Sequence, residues 1–443
     1  MDSASPQSGA SAASRVACRD AESVRLVVGH AGDHVLVHAL LRAVNQTPSY
    51  EDFVTWLDEP TYEPADRLLI KRSDSILAHV QVLHRTAWFG GVKIPAGTVQ
   101  DLAVLPEYAG AGYEHHLLSS AENAMRENQA VVSLVRTNRP EPFRAAGWID
   151  ARGQGYSEIA IGDVLAHLSA QHASSVPRRS RALRIRRWRH VELDAVRGIY
   201  ASAAAGYWGA LCRGEAYWRW LVGRKAHSDL IVAEYGDDSR AEPESAGQMV
   251  GYVVTQGAHI LELCCLPEYA RAAPRLLVRA CQDAIEQDHH TISLHTPPSD
   301  PLHELVVLAG GEWYAHHRDA GSTLLVKLLD PARWSEAIYP ILRRRVKRAG
   351  LARPLQLCFD TGDEQYRLLI TRRSSRLVAD ETTPVDVRCD PTTFAALLLG
   401  NLNLQTARES AALHVADEEI FHRLSVLFPP AVFWQSQFDV LRF

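Results

Sequence analysis

Cysteine is scarce: seven residues in 443, an odd number with no CxxC spacing. That excludes a disulfide framework and leaves the thiols as small buried hydrophobes rather than zinc or redox ligands. Cys264 and Cys265 are neighbours, so on a strand they point to opposite faces and do not share a metal. Long apolar runs are missing as well. The longest, around Ala201–Cys212 and Phe394–Leu404, are broken by Gly, Tyr, Trp or Asn and fall short of the roughly 18 residues that cross a bilayer. An excess of either charge is also absent. The 47 basic residues face 52 acidic ones, whereas a chain built to wrap nucleic acid is basic. With 47% hydrophobic and 22% charged residues, the composition is that of globular protein. Residues 1–22 (opening MDSASPQSGASAASRVACRD) have no apolar h-region and few arginines, so they read as a disordered tail on a cytoplasmic protein, not as a targeting peptide.

What is present is an alternation of strand and helix signals. Val24–His30 alternates as a strand, and Asp33 opens a helix through Val35, Leu36, Leu40, Leu41 and Val44. Ser49–Leu57 is a second short helix. Strands follow at Arg67–Lys71, Ile76–Thr86 and Gly97–Leu105, with Gly90-Gly91 as a turn. Gly112–Asn128 is an amphipathic helix, Ala130–Arg136 a buried strand, Pro142–Ala146 a helix closed by Gly147, and a last strand lies near Ser157–Ile161. Such an order predicts an α/β layer fold. The arginine-rich run Arg178–His190 suits a nucleic-acid or membrane surface, or a solvated linker; the linker is the reading taken.

An internal repeat sets the architecture. Leu105–Ala111 reads LPEYAGA and Leu266–Ala272 reads LPEYARA, 161 positions apart. Each copy follows an apolar strand, precedes a helix, and leads to a strand containing Ser-Leu (Ser133-Leu134, Ser293-Leu294) and then to a glycine–tryptophan close. The copies differ in their turns. Gly110 and Gly112 let backbone amides of the first copy approach an anion at a helix N-terminus; Arg271 and Ala273 close the second. Residues from about Pro331 form a third, α+β unit, with Asp390 capping a helix that ends at Gly400.

Strand, Pro-Glu-Tyr, glycine turn, helix, strand, helix and Gly-aromatic resemble the GNAT acyltransferases. Two such copies with an α+β C-terminal unit, the Tyr217-Trp218-Arg219-Trp220 segment and a terminal Phe443 resemble the Eis type of acetyltransferase. The resemblance implies two α/β mixed-sheet GNAT units in tandem, residues 23–170 and 183–329, joined by a basic linker at 171–182. A sterol-carrier-like α+β unit would occupy 330–443. The second GNAT unit would be degenerate. The implied activity is transfer of an acetyl group from acetyl-CoA to a primary amine of a small molecule or protein by a homo-oligomer. The adjacent histidine pairs 115–116, 289–290 and 316–317 lack the i, i+4 spacing of a helical metal site, so no metal is expected. Rival readings are an inactive GNAT-derived binding protein and a lipid carrier acting through the C-terminal unit.

The family's Arg/Gln-x-x-Gly-x-Gly/Ala turn maps onto Ala109, Gly110, Ala111, Gly112, Tyr113 and Glu114, with Ala109 replacing the basic residue and Glu114 the last small one. The backbone of Leu102, Ala103 and Val104 would pair with the pantetheine arm. The family's thiolate acid is a tyrosine four residues before the closing glycine; Phe143 stands there and has no proton to give, which leaves water, Tyr108 or Tyr113. The amine needs a proton acceptor. The resemblance points to the terminal carboxylate of Phe443, and Asp101, on the strand before the turn, is a second candidate. His84 is a possible relay or a structural residue. Glu51, Asp52, Asp58 and Glu59 around Trp56 form an acidic, aromatic rim expected to attract a cation.

Overall fold

The computed structural model describes residues 24–44, 49–173, 183–224, 226–236, 247–315 and 322–440. The expected tail, Arg178, Arg179, Arg181 and Phe443 lie outside them. Strands and helices fall where the periodicity places them: Ser75–Phe89 and Val92–Val104 form a hairpin about Gly90-Gly91, and the central helix is Tyr113–Glu127. Among the described residues no helix is long and apolar enough to cross a membrane.

Among the described residues the strands build three sheets. The first has eight strands in the order Arg25–Val28, Arg67–Arg72, Ser75–Phe89, Val92–Val104, Val132–Thr137, Thr323–Leu328, Ile149–Asp150, with Trp208–Leu211 paired to Ser75–Phe89. The second has seven, in the order Glu312–Tyr314, Tyr156–Ala160, Thr291–Leu294, His259–Cys265, Gln248–Gln256, Asp229–Tyr235, Leu183–Arg187. The two repeats therefore exchange a strand. Tyr156–Ala160 pairs antiparallel with Thr291–Leu294, and Thr323–Leu328 pairs antiparallel with Val132–Thr137.

Boundaries at 170 and 329 thus cut through both sheets, and the strand near Ser157–Ile161 belongs to the second sheet rather than closing the first. Alternation along a strand sets which side chains are buried but not which neighbour is bonded. Two similar repeats offer two similar slots.

The third sheet runs Ser375–Ala379, Gln365–Ile370, Leu355–Asp360, Val387–Cys389, Leu413–Val415. Its apolar face shares one core with the first sheet: Phe89, Val132, Leu134 and Leu324 pack in the same cluster as Trp334, Leu342, Leu357, Phe359 and Phe394. Phe89 meets Trp208 and Trp334 edge to face, at 5.6 and 5.1 Å between ring centroids. The C-terminal unit is fused to the first rather than tethered to it.

The exchanged strand carries a buried polar anchor. Ser157 Oγ lies 2.5 Å from His303 Nδ1, and Thr296 Oγ1 lies 3.1 Å from His303 Nε2. Burial pushes the His303 imidazole down to about 4. Its contribution is full above the unfolded value near 6.5 and is lost as pH falls towards 4, about 3 kcal/mol over that window. Asp300, which caps helix Pro301–Leu308 through Leu302 N at 2.9 Å, opposes it. Burial raises that carboxyl to about 6, so its contribution is full below about 3.8 and is lost as pH rises through 6. Asp300→Asn keeps the cap and removes the compensation. The variant's melting temperature is expected to fall more steeply than the wild type's between pH 6.5 and 4; parallel profiles would refute the opposition.

Candidate active site

Helix Tyr113–Glu127 starts from Gly112 at φ 80°, ψ 5°, without a side-chain cap, and Gly110 is also left-handed at φ 79°. The helices at Pro301, Pro331, Pro391 and Glu418 instead have an Asp whose carboxylate accepts a first-turn amide. The first helical amide to bond backward here is His116 N, to Gly112 O at 3.1 Å. The amides of Tyr113, Glu114 and His115 precede that ladder and face outward along the positive end of the helix dipole. A Cβ on Gly110 or Gly112 would meet nothing within 4 Å, so glycine is required by backbone conformation and the space above is open to an anion.

In the second repeat, Ala270 and Arg271 are right-handed, at φ −53° and −64°. Helix Ala272–Glu286 begins there at the position equivalent to Ala111, filling the same space. Glu114 in the first repeat pairs with Arg139 at 2.8 Å, which offsets its charge beside the cradle.

Below the cradle the sheet splits. The parallel pair Val92–Val104 and Val132–Thr137 is bonded only from Ala96↔Val132 to Thr98↔Leu134. Beyond that, a bulge at Asp101 turns the first strand away: His79 faces Ala103 while Gln81 faces Gln100, and Asp101 has φ 54°. A bulge sharpens the local twist, which opens the cleft. The Asp101 carbonyl lies 2.9 Å from His79 Nδ1, whose Nε2 lies 2.9 Å from Arg67 Nη1. Because arginine only donates, His79 Nε2 accepts and Nδ1–H donates to the bulge, in a buried pair.

The cleft opens into a cavity of ≈890 Å³. The first unit contributes Thr98–Leu102, Arg136, Phe143, Arg85 and Trp56; the second contributes Tyr217, Trp220, His259, Ser293 and His295, with Tyr156 and Glu158 from the exchanged strand. Ile159, Ile292 and Leu294 enter the core on the other face of that sheet, which leaves Glu158 and Ser293, paired across the ladder, on the cavity side. Ser293 Oγ lies 2.6 Å from His259 Nδ1 and 3.1 Å from His295 Nε2. Trp220 Nε1 donates to Thr55 O at 3.0 Å, tying the second unit to helix Tyr50–Leu57 of the first.

The C-terminal segment closes the cavity with Gln435, Ser436, Gln437, Asp439 and Val440. It is held by a buried network. Arg213 bonds Glu262 at 3.0 and 2.6 Å and Asp439 at 2.8 and 2.9 Å. Glu262 also accepts from Tyr252 Oη at 2.5 Å, and Asp439 from Tyr217 Oη at 3.3 Å. Burial works against the Arg213 charge, but the two carboxylates drive its guanidinium well above the ordinary arginine range. Arg224 Nη2 donates to Phe438 O at 2.5 Å, and Phe438 is fully buried among Tyr200, Trp218 and Tyr252.

Of the residues singled out in the sequence, Asp101, Leu102 and Phe143 line the cavity. Ala103 is buried against helix His34–Ala43, and Ala109, Gly110, Ala111, Gly112, Tyr113 and Glu114 form the cradle. Phe143 is buried edge to face on Trp148, 5.3 Å between centroids. Tyr108 and Tyr113 pack on each other at 6.1 Å and do not line the cavity.

His84 is exposed on the face opposite Leu83 and Arg85. The expected acidic rim does not form. Glu51, Asp52 and Asp58 are exposed away from the cavity, and buried Glu59 is bonded to Arg85 at 2.9 and 3.1 Å. Sequence reasoning missed Arg136, Glu158, Arg213, Glu262 and Asp439. Alternate polar residues in Thr291, Ser293 and His295 were a signal for the cavity wall; the arginine network had none. No group of three or more His, Cys, Asp or Glu is arranged for a metal among the described residues.

A split parallel pair beside an uncapped helix defines the mixed α/β GNAT fold, and residues 31–149 match the family described as Acetyltransferase (GNAT) domain. That match supports acyl transfer as the general chemistry. The whole chain is similar in fold to a GCN5-related N-acetyltransferase from Anabaena variabilis ATCC 29413, with TM-score 0.68 and 14% identity over 93% of this chain and 99% of that one. The GCN5-related N-acetyltransferase from Kribbella flavida gives TM-score 0.68 and 16% identity over 94% and 99%. Eis1 from Mycobacterium abscessus gives TM-score 0.63 and 15% identity over 94% and 99%. No curated protein matches the sequence.

Proposed function

We propose that the chain is an acetyl-CoA-dependent N-acetyltransferase of the Eis type, active in its first unit. One observation carries this reading: the uncapped, glycine-bounded helix start follows, in the chain, the strand whose split from its parallel neighbour borders the cavity. The amides of the cradle suit a pyrophosphate, and the backbone of Leu102–Val104, beyond the last parallel pair Thr98↔Leu134, suits the amide-bearing arm of coenzyme A. The acetyl group would then face the cavity, where the acceptor amine attacks the thioester carbon. The C–N bond forms, the C–S bond breaks, and the amine sheds a proton.

Two groups are assigned to that proton, the Phe443 carboxylate and Asp101. Asp439 and Val440, near the end of the anchored segment, line the cavity. We read the second unit as a degenerate copy that supplies acceptor-side wall, and the sterol-carrier-like C-terminal unit as the support for that segment.

The test is calorimetric titration with acetyl-CoA, followed by a primary-amine screen read as free thiol. Micromolar binding and amine-dependent thiol release support the reading. No binding would leave a GNAT-derived binding protein.

Phe143 cannot protonate the departing thiolate, so water must. Phe143→Tyr is expected to raise kcat by about tenfold, a modest share of what a placed general acid supplies, with acetyl-CoA affinity unchanged. An unchanged kcat would mean that thiolate protonation does not limit turnover.

A further inference from the structure

Among the described residues that line the cavity, one cation is not neutralised by the fold. Arg85 is bonded to Glu59 and lies over the Tyr217 ring at 5.4 Å, and Arg139 is paired with Glu114. Arg136, at the end of strand Val132–Thr137, has neither kind of partner. Its Nε and Nη1 atoms are sealed from solvent without a hydrogen bond, and its side chain makes no ion pair among the described residues. Burial alone lowers its guanidinium to about 10, so it stays charged at neutral pH.

An uncompensated charge held partly out of water weakens a fold, and one that is half-buried and lines a cavity is placed for a ligand. The side of the strand fits this. Val135 packs under helix Tyr113–Glu127, whereas Leu134 turns towards the C-terminal unit; Arg136 alternates with Leu134 and so shares its side. The same cavity is lined by the carboxylates Asp101 and Glu158. Both signs of charge, held apart on different strands, match a molecule that carries both.

We propose that the acceptor is a zwitterion, an amine that also bears a carboxylate, and that Arg136 holds the carboxylate. A guanidinium pairs a carboxylate with two parallel hydrogen bonds. A dianionic phosphate fits less well, because Asp101 and Glu158 share the space. The inference rests on the cavity being the acceptor site of an acyltransferase and narrows the substrate class of that site.

The experiment uses the full chain and matched pairs that differ only by a carboxylate: L-phenylalanine against 2-phenylethylamine, and L-lysine against 1,5-diaminopentane. Binding is measured by calorimetry without acetyl-CoA, so the readout does not need turnover. In the wild type the carboxylate-bearing member is expected to bind at least tenfold more tightly. In Arg136→Gln the gap is expected to shrink to within twofold, and that variant should melt no lower than the wild type because it loses an uncompensated charge. Arg136→Lys, which keeps the charge without the fork, is expected to retain part of the gap, and it decides the matter if Arg136→Gln does not fold.

Equal binding of both members in the wild type, or a gap untouched by the variants, overturns the proposal. The transfer reading is scored separately by thiol release. Thiol release with the plain amines as efficient as with the amino acids refutes the zwitterion and leaves the transferase. An Arg136-dependent gap without thiol release supports the carboxylate site and refutes the transferase.

Discussion

Acetyl-CoA titrated into the Gly112→Arg variant is expected to give no binding at concentrations that saturate the wild type, a loss of at least about 100-fold. Two effects add. Gly112 sits at φ 80°, where an L side chain costs about 1–2 kcal/mol, roughly tenfold if the strain is relieved by distorting the cradle. The arginine side chain then occupies the open space over the first-turn amides, as the earlier helix start does in the second repeat. Gly112→Ala separates the two effects, since it carries the strain without the bulk and should lose only about tenfold. Thermal melting of both variants distinguishes a lost cradle from a lost fold. Full affinity in Gly112→Arg would place the pyrophosphate elsewhere.

Arg213→Ala is expected to destabilise the protein by about 3–5 kcal/mol, the cost of leaving buried partners of a broken ion pair uncompensated. Two carboxylates are stranded at once, because Glu262 and Asp439 both bond this one guanidinium, and the side chains of Arg213 and Glu262 are wholly buried. The damage also reaches the cavity, since Asp439 belongs to the segment that closes it. The variant should therefore lose acceptor turnover while its acetyl-CoA affinity stays near the wild-type value. A triple variant, Arg213→Met with Glu262→Gln and Asp439→Asn, should recover most of the melting temperature, because neutral groups remove the stranded charges. No recovery would mean that Arg213 acts through packing on Tyr200 and Trp218, which it covers at 3.8 and 4.7 Å.

Much of the fold was legible in local signals. The hairpin at Gly90-Gly91, the helix after Gly112 and the cap at Asp390 follow from backbone preferences that act within a few residues. The open helix start was legible for the same reason, since Gly110 and Gly112 both adopt the left-handed conformation that two glycines between a strand and a helix allow. The acidic rim failed because helix Tyr50–Leu57 turns Trp56 inward and its acids outward, while Glu59 finds Arg85 on a strand distant in sequence. Arg136 was passed over because a charged residue after an apolar run reads as a strand end. Only the missing counter-charge in three dimensions sets it apart.

The sequence by itself determined the strand–helix order, the repeated Leu-Pro-Glu-Tyr-Ala motif and which of its two turns stays open, because these depend on residue types within one turn or one strand. The tertiary structure alone decided that the two copies exchange strands, that the second copy's Ser293 and His259 face the first copy's cleft, and that the C-terminal segment is anchored by Arg213. Each of those depends on which distant surfaces meet. Hydrophobic patterning specifies that a face is buried without specifying its partner, and ion pairs between residues more than 200 positions apart, such as Arg213 and Asp439, leave no local trace.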